Sequence, residues 1–274
     1  MITATATGKA VQMVGSTSDA IYDPVSVKRR LVLMHYESGV GHIGGNLSCL
    51  DAMLVTFHDH LKPNDHFVLS KGHSVGALYA TLWSLGHLDD DDLRSFHRDG
   101  TVLAGHPPAT GIPKIEFATG SLGHGVSLGA GLALSARFQD TDANVICLSS
   151  DGEWQEGSSW EGLIFAARHR LSNLTIMIDN NGLQGFGATA EIAGMTPLAT
   201  RLSGFGVTVL SVDGHDVDAI RAALESTTDT VKVIVLNTIK GRGVSFMENR
   251  MEWHYNALTR ELFDQADAEL ESNA

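Results

Sequence analysis

Cysteine is nearly missing from this chain: two thiols, Cys49 and Cys147, stand in 274 residues, both in apolar surroundings and not spaced as a metal knuckle. That excludes a disulfide-stapled secreted scaffold and leaves reduced, buried thiols of a cytosolic protein as the natural reading. Positive charge is scarce as well, with 19 Lys and Arg against 32 Asp and Glu, a net charge of −13. No Lys/Arg run is concentrated enough to track a phosphate backbone, so nucleic acid is excluded as a partner class. Long apolar runs are lacking, and none approaches the roughly eighteen residues that a membrane span needs. The opening residues carry no charged segment ahead of an uninterrupted apolar core, so no cleaved signal is expected. Together these absences predict a soluble, cytoplasmic protein without a membrane partner.

With 43% hydrophobic residues the chain can bury a full core. Residues 1–21 read as a flexible or docking tail, 22–265 as one domain and 266–274 as a polar tail. From Pro24, apolar residues at Val25, Val27, Leu31, Val32 and Met34 line one side of a helix that Gly39 stops. The Gly-dense loop SGVGHIGGN then feeds a second helix with Asn46 as candidate cap. Apolar runs at 66–69, 145–148, 174–178, 205–212 and 231–237 read as strands, the last of the kind buried on both faces of a parallel sheet. Helices are expected at 158–169, 216–226 and 258–270, and the four acids at 89–92 as a helix start. The class is α/β: a doubly wound, mostly parallel sheet flanked by helices.

The stretch 150–187, SDGEWQEG through NNGLQGFG, organises the rest. It places Asp151 at the end of one apolar run and Asn181 at the end of the next, with an amphipathic helix between. Ligands of open α/β sheets gather outside the carboxyl ends of the strands, so these two residues converge although 30 positions separate them. One carboxylate, one amide oxygen and nearby backbone carbonyls suit Mg²⁺ better than a soft metal. His73, at a strand-to-helix junction beside the first amides of a helix, suits an anion. The glycines near 120–125 let backbone approach a flat ligand. Each mark also has a plainer use: a strand-end acid in an unrelated nucleotide-binding unit, a turn or capping histidine at His42 or His73, a helix-surface carboxylate at Glu156 or Glu161. A plain dinucleotide-binding domain is disfavoured, because no G-x-G-x-x-G turn follows a strand with a matching acid about twenty residues on.

Taken together the motifs resemble the transketolase family. The marks are Asp151-Gly152 with Asn180-Asn181, Glu156, Trp160 and Glu161 between them, the SGVGHIGG loop, SKGH ending at His73, Gly105-His106-Pro107, Gly120-Ser121-Leu122-Gly123, and KGRGVSFMEN followed by Trp253-His254. The resemblance implies thiamine diphosphate as cofactor and Mg²⁺, Ca²⁺ or Mn²⁺ held by Asp151, Asn181 and the Leu183 carbonyl. It implies that His73, Gly152 and His254 meet the diphosphate, that Glu153 and Asn181 also reach the cofactor, and that Gly120, Ser121 and Leu122 lie against its rings. His42, His106 and His254 take the roles of substrate-channel histidines that bind hydroxyls and shuttle protons, and Glu156 and Glu161 those of subunit-interface glutamates. Departures from the family pattern stand at Ile43 for Pro, His124 for Gln, Ser150 for Gly and Tyr255 for Gly. The last could narrow the channel or mark a different substrate.

The resemblance covers residues 22–265 and corresponds to the first part of a full transketolase. In the family the glutamate that activates the cofactor belongs to a later, pyrimidine-binding domain. The expectation is therefore a chain inactive alone, paired in an α₂β₂ assembly with a C-terminal transketolase subunit. The pair would transfer a two-carbon ketol unit from a ketose or its phosphate to an aldose. Alternatives are a subunit of a deoxyxylulose-phosphate-synthase-like enzyme or of a pathway-specific ketol or acyl transferase, and a noncatalytic subunit retaining the fold.

Overall fold

In the computed structural model, residues 23–272 other than 110 and 196 are described. The expected tail at 1–21 lies outside them. Helix α1 (Pro24–Ser38) starts on Asp23, whose carboxylate accepts from the Val25 and Ser26 amides, and ends at Gly39 in the left-handed region. Helix α2 (Ile43–Val55) and strand β1 (His66–Leu69) follow, then α3 (Val75–Ser84), the short α4 (Asp90–Arg94) and α5 (Gly125–Phe138). The acids at 89–92 do start a helix: Asp89 and Asp92 form a reciprocal capping box on α4.

The central unit is β2 (Val145–Ser150), α6 (Gly157–Arg168) and β3 (Leu174–Asn180). A two-residue hairpin, β4 (Leu183–Gln184) and β5 (Gly187–Ala188), leads into α7 (Thr189–Ile192) and α8 (Leu198–Ser203). Strand β6 (Thr208–Asp213), α9 (Val217–Glu225), β7 (Lys232–Asn237) and α10 (Arg260–Ser272) complete the chain. Residues beyond 265, expected as a tail, continue α10 to Ser272, because Ala266 and Leu270 are buried against the core.

Among the described residues five strands form one parallel sheet in the order β1-β2-β3-β7-β6. Its residues alternate strictly between two cores. Ile146, Leu148, Met177, Ile234 and Leu236 face a layer built by α1, α2, α3, α9 and α10, while Val145, Cys147, Ile176, Val233 and Val235 face α5, α6 and α8. Burial on both faces is what makes the strand sequences nearly continuous in apolar residues. From β1 to β3 the sheet grows in one direction through α5 and α6; from β6 to β7 it grows back through α9 on the opposite face. A single crossover handedness requires that change of face. Helix α2 is buried along its whole length, so its end at residue 43 is held as firmly as the sheet.

Candidate active site

Four strand ends meet one cleft of about 220 Å³. Lys71 and His73 come from the turn after β1, Ser150, Asp151 and Gly152 from the end of β2, Asn181 and Leu183 from the turn after β3, and Lys240 and His254 from the segment after β7. Ser150 pairs in register with Asp179, and the Asp151 amide donates to the Asp179 carbonyl (3.1 Å), so the two central ends stop level. The convergence of Asp151 with Asn181 follows: Asp151 Oδ2 accepts from the amide of Gly182 (2.9 Å), the residue after Asn181.

Asp151 also accepts from the Gly152 amide (2.8 Å) and the Thr189 hydroxyl (2.9 Å). Desolvation, and then the charge of Asp179, push its pKa up to about 6. A cation beside it would relieve both effects, and Asn181 and Leu183 line the same cleft. Among the described residues no group of three or more His, Cys, Asp or Glu is placed to hold a metal. A cation here would therefore have to draw on amide and main-chain oxygen, as Mg²⁺ chemistry allows.

Behind this pole lies a buried pair that sequence reasoning missed. Asp179 takes hydrogen bonds from Lys71, from Ser48 Oγ (2.6 Å), from Asn181 Nδ2 (3.1 Å) and from the Thr238 hydroxyl. Burial alone would raise the pKa of Asp179, but the Lys71 ammonium and these donors hold it low; Asp179 in turn keeps Lys71 charged against the same burial. Lys240, also missed, is buried; desolvation and the Lys71 charge bring it down to about 8. The signals were present as a lysine before glycine in SKGH and IKGRG and as an acid inside the apolar run LTIMIDN.

Lys240 Nζ donates to His254 Nδ1 (3.1 Å), which leaves the imidazole proton on Nε2. The peptide before Lys240 is pinned as well: the Ile239 amide donates to His215 Nε2 (2.9 Å), and His215 Nδ1 faces Asp51 (2.9 Å).

His42, His73, His106 and His254 form one cluster. The His42 ring centroid is 4.9 Å from that of His254, 5.5 Å from that of His73 and 6.3 Å from that of His106. Burial, then neighbouring cations and imidazoles, lower all four pKa values, that of His254 to about 3 and that of His73 well below the ordinary value. Imidazoles expected to titrate near working pH are thus neutral in this cleft, free to accept or donate at an uncharged nitrogen. His42 is the N-cap of α2 with φ 67°, a left-handed backbone that costs about 1–3 kcal/mol for a residue other than glycine. Its amide donates to the His254 carbonyl (3.0 Å), which holds it there.

Other expectations are corrected. Asn46 does not cap α2. It lies in the first turn, donating to the carbonyls of His42 (2.8 Å) and His73 (3.3 Å) and accepting from the Ala77 amide (2.6 Å), so it stitches α2 to α3. Glu153 does not line the cleft. It is fully buried and turns inward to accept from the Gly123 amide (2.8 Å), the Ser150 amide (3.3 Å) and the Ser70 hydroxyl, bracing three loops from beneath. Gly120 and Leu122 line the cleft, whereas Ser121 between them is exposed and outside it. At Gly120 the requirement for glycine is physical: φ is 143° and a Cβ would stand 2.7 Å from the His106 ring. Glu156 and Glu161 lie on the exposed side of α6 with Ile164 and Phe165. Ile43 is the first residue of α2, the position at which proline is best tolerated in a helix, so that departure leaves the turn intact.

Comparison with known proteins identifies the family. Residues 25–273 match the thiamine diphosphate-binding domain of transketolase, and the chain belongs to that family. It is 36% identical over 255 residues to an apulose-4-phosphate transketolase subunit of Phocaeicola vulgatus, covering 89% of this chain and 90% of that one. It is 37% identical over 259 residues to the 6-deoxy-6-sulfo-D-fructose transketolase subunit SqwG of a Clostridium species, covering 90% and 94%. Among solved structures, Campylobacter jejuni transketolase superposes with a TM-score of 0.83 at 28% identity over 90% of this chain but 42% of its own. The chain thus spans about two fifths of that transketolase and nearly all of the two subunits. Among the described residues no helix is long and apolar enough to cross a membrane.

Proposed function

We propose that this chain is the diphosphate-binding, N-terminal subunit of a two-chain transketolase that moves a two-carbon ketol unit from a ketose or ketose phosphate to an aldose. The observation that carries the reading is the meeting, in one cleft, of the Asp151 carboxylate, which makes no salt bridge among the described residues, with the ammonium and imidazole groups of Lys240, His73 and His254. A divalent cation and a diphosphate are the complementary pair of charges. Asp151, Asn181 and the Leu183 carbonyl would hold Mg²⁺, or Ca²⁺ or Mn²⁺ in its place, and Gly152, His73 and Lys240 the diphosphate. Thiamine diphosphate, when bound, supplies the nucleophilic carbon and electron sink for breaking and making a carbon–carbon bond beside a carbonyl.

The chain's own residues orient and protect that chemistry. Neutral His42 and His106 present ring nitrogens to substrate hydroxyls, and His254 holds a proton at Nε2 because Lys240 occupies Nδ1. Gly120 and Leu122 form a surface for the cofactor rings. We assign the activating carboxylate to a pyrimidine-domain partner in an α₂β₂ assembly, supported by relatives that are named as subunits and that this chain matches over nearly their whole length. Glu156 and Glu161, beside exposed Ile164 and Phe165, belong to the face that meets it. We place the assembly in the cytoplasm, in keeping with two buried free thiols.

The test is a coupled ketol-transfer assay with Mg²⁺, thiamine diphosphate, xylulose 5-phosphate and ribose 5-phosphate, on the chain alone and co-expressed with the partner subunit. Activity restricted to the mixture supports the reading, and activity from the chain alone removes the need for a partner. Silence in both, with no cofactor binding in a titration of the mixture, rejects it.

A further inference from the structure

Tyr255 and Gly185 form a contact that the proposed chemistry leaves unused. Tyr255 follows His254 at the cleft and is 57% exposed. Its ring stands edge-on to His254 at 4.8 Å and to His42 at 6.4 Å between centroids. From there it reaches across the mouth to the turn joining β4 and β5, where a Cβ on Gly185 would lie 2.3 Å from the tyrosine hydroxyl. On the other side a Cβ on Gly41 would lie 2.5 Å from the Tyr255 carbonyl oxygen. Two loops distant in sequence thus pack glycines against residue 255, Gly41 on its backbone and Gly185 on its phenol. Gly185 has no positive φ to explain its glycine; a Cβ there would meet the phenol and, at 3.2 Å, the His254 ring.

We infer that Tyr255 is a specificity-determining wall, which limits by its bulk how far a ketose donor extends past His42 and His254 and so favours short donors over long ones. The inference rests on the ketol-transfer reading and deepens it. The lysines that line the cleft, Lys71 and Lys240, are both buried at the strand-end pole. The wall therefore selects on shape and length, without contributing a positive charge to a substrate's tail. A steric limit acts on the part of the donor beyond the reacting carbons, so it changes the ratio of kcat/KM between donors and leaves cofactor binding alone.

The experiment uses the complex of this chain with its partner and compares five-carbon and seven-carbon ketose phosphates as donors. In Tyr255→Gly the ratio of kcat/KM for the longer to the shorter donor should rise about tenfold, the scale of relieving a clash of a methylene or more. Tyr255→Phe, which keeps the bulk and loses the hydroxyl, should leave the ratio within about twofold of wild type. An unchanged ratio in Tyr255→Gly, or an equal shift in Tyr255→Phe, overturns the inference. A second arm needs no activity: Gly185→Ala should lower the melting temperature of the wild-type chain, and the loss should shrink in the Tyr255→Gly background. Additive losses would mean that the phenol does not occupy that space, which also overturns it. Failure of the wild-type complex to bind thiamine diphosphate would instead count against the proposed function and leave the second arm readable.

Discussion

At the strand-end pole of the cleft, Lys71, Asp151 and Asp179 are almost wholly buried and each is held by at least two neighbours. At the mouth, His106 and Tyr255 are exposed, and His42 and His254 are half-buried. Both ends lie within one cleft, yet one is a fixed array of charge and the other a surface of uncharged rings. The difference follows from what each would meet. A diphosphate and its cation have the same charge in every turnover, and a preorganised buried array binds them without rearranging. Sugar oxygens change protonation as the reaction proceeds, and neutral imidazoles serve them in either direction.

The largest effect should come from breaking the buried array. Asp179→Asn keeps the shape but leaves the Lys71 ammonium buried without its carboxylate, an arrangement that costs about 3–5 kcal/mol. Denaturant unfolding of the chain measures it, and a loss below about 1 kcal/mol would mean that Lys71 finds water. Next is Asp151→Ala. Altering a metal's outer-shell partners costs about 10- to 100-fold in affinity, so removing a ligand should weaken Mg²⁺-dependent cofactor binding about 100-fold or more. Isothermal titration of the reconstituted complex reads this directly, and an unchanged affinity would remove Asp151 from the metal site. At the mouth the pattern should invert. His106→Ala should lower kcat about 100-fold while the cofactor dissociation constant moves less than about threefold. Equal losses in both would erase the contrast between the poles.

The two poles were also unequally legible in the sequence. Asp151, Asn181 and His73 could be placed because strand ends in an open parallel sheet have a common destination, and periodicity located those ends to within a few residues. The pairing of Lys71 with Asp179 joins positions 108 apart and leaves no local pattern. Glu153 shows the complementary failure: its position was read correctly, but its side chain turns under the loops rather than into the cleft. Direction depends on which amides lack partners, and that is a tertiary fact. The left-handed backbone at His42 was hidden for the same reason, since it is held by the carbonyl of His254, 212 positions later.

The smallest effect concerns Lys240, where the poles touch, and its sign is fixed by linkage. In the protein alone the ammonium is depressed to about 8, whereas in an unfolded chain it titrates near 10.4. Between those values the unfolded state holds more protons, so the stability of the ligand-free chain should rise with pH over that window. Binding a diphosphate favours the ammonium and raises its pKa, so the complex then holds the extra proton. Cofactor affinity should therefore fall as pH climbs past about 8, by up to about tenfold per pH unit for one proton. One residue thus drives two slopes of opposite sign through the same pH range. Lys240→Met should flatten both, as read by thermal melts without ligand and cofactor titrations between about pH 7 and 9.5. If the affinity slope survives the substitution, the proton belongs to another group and Lys240 does not face the diphosphate. If the stability slope alone survives, another group drives it and Lys240 is not depressed by folding.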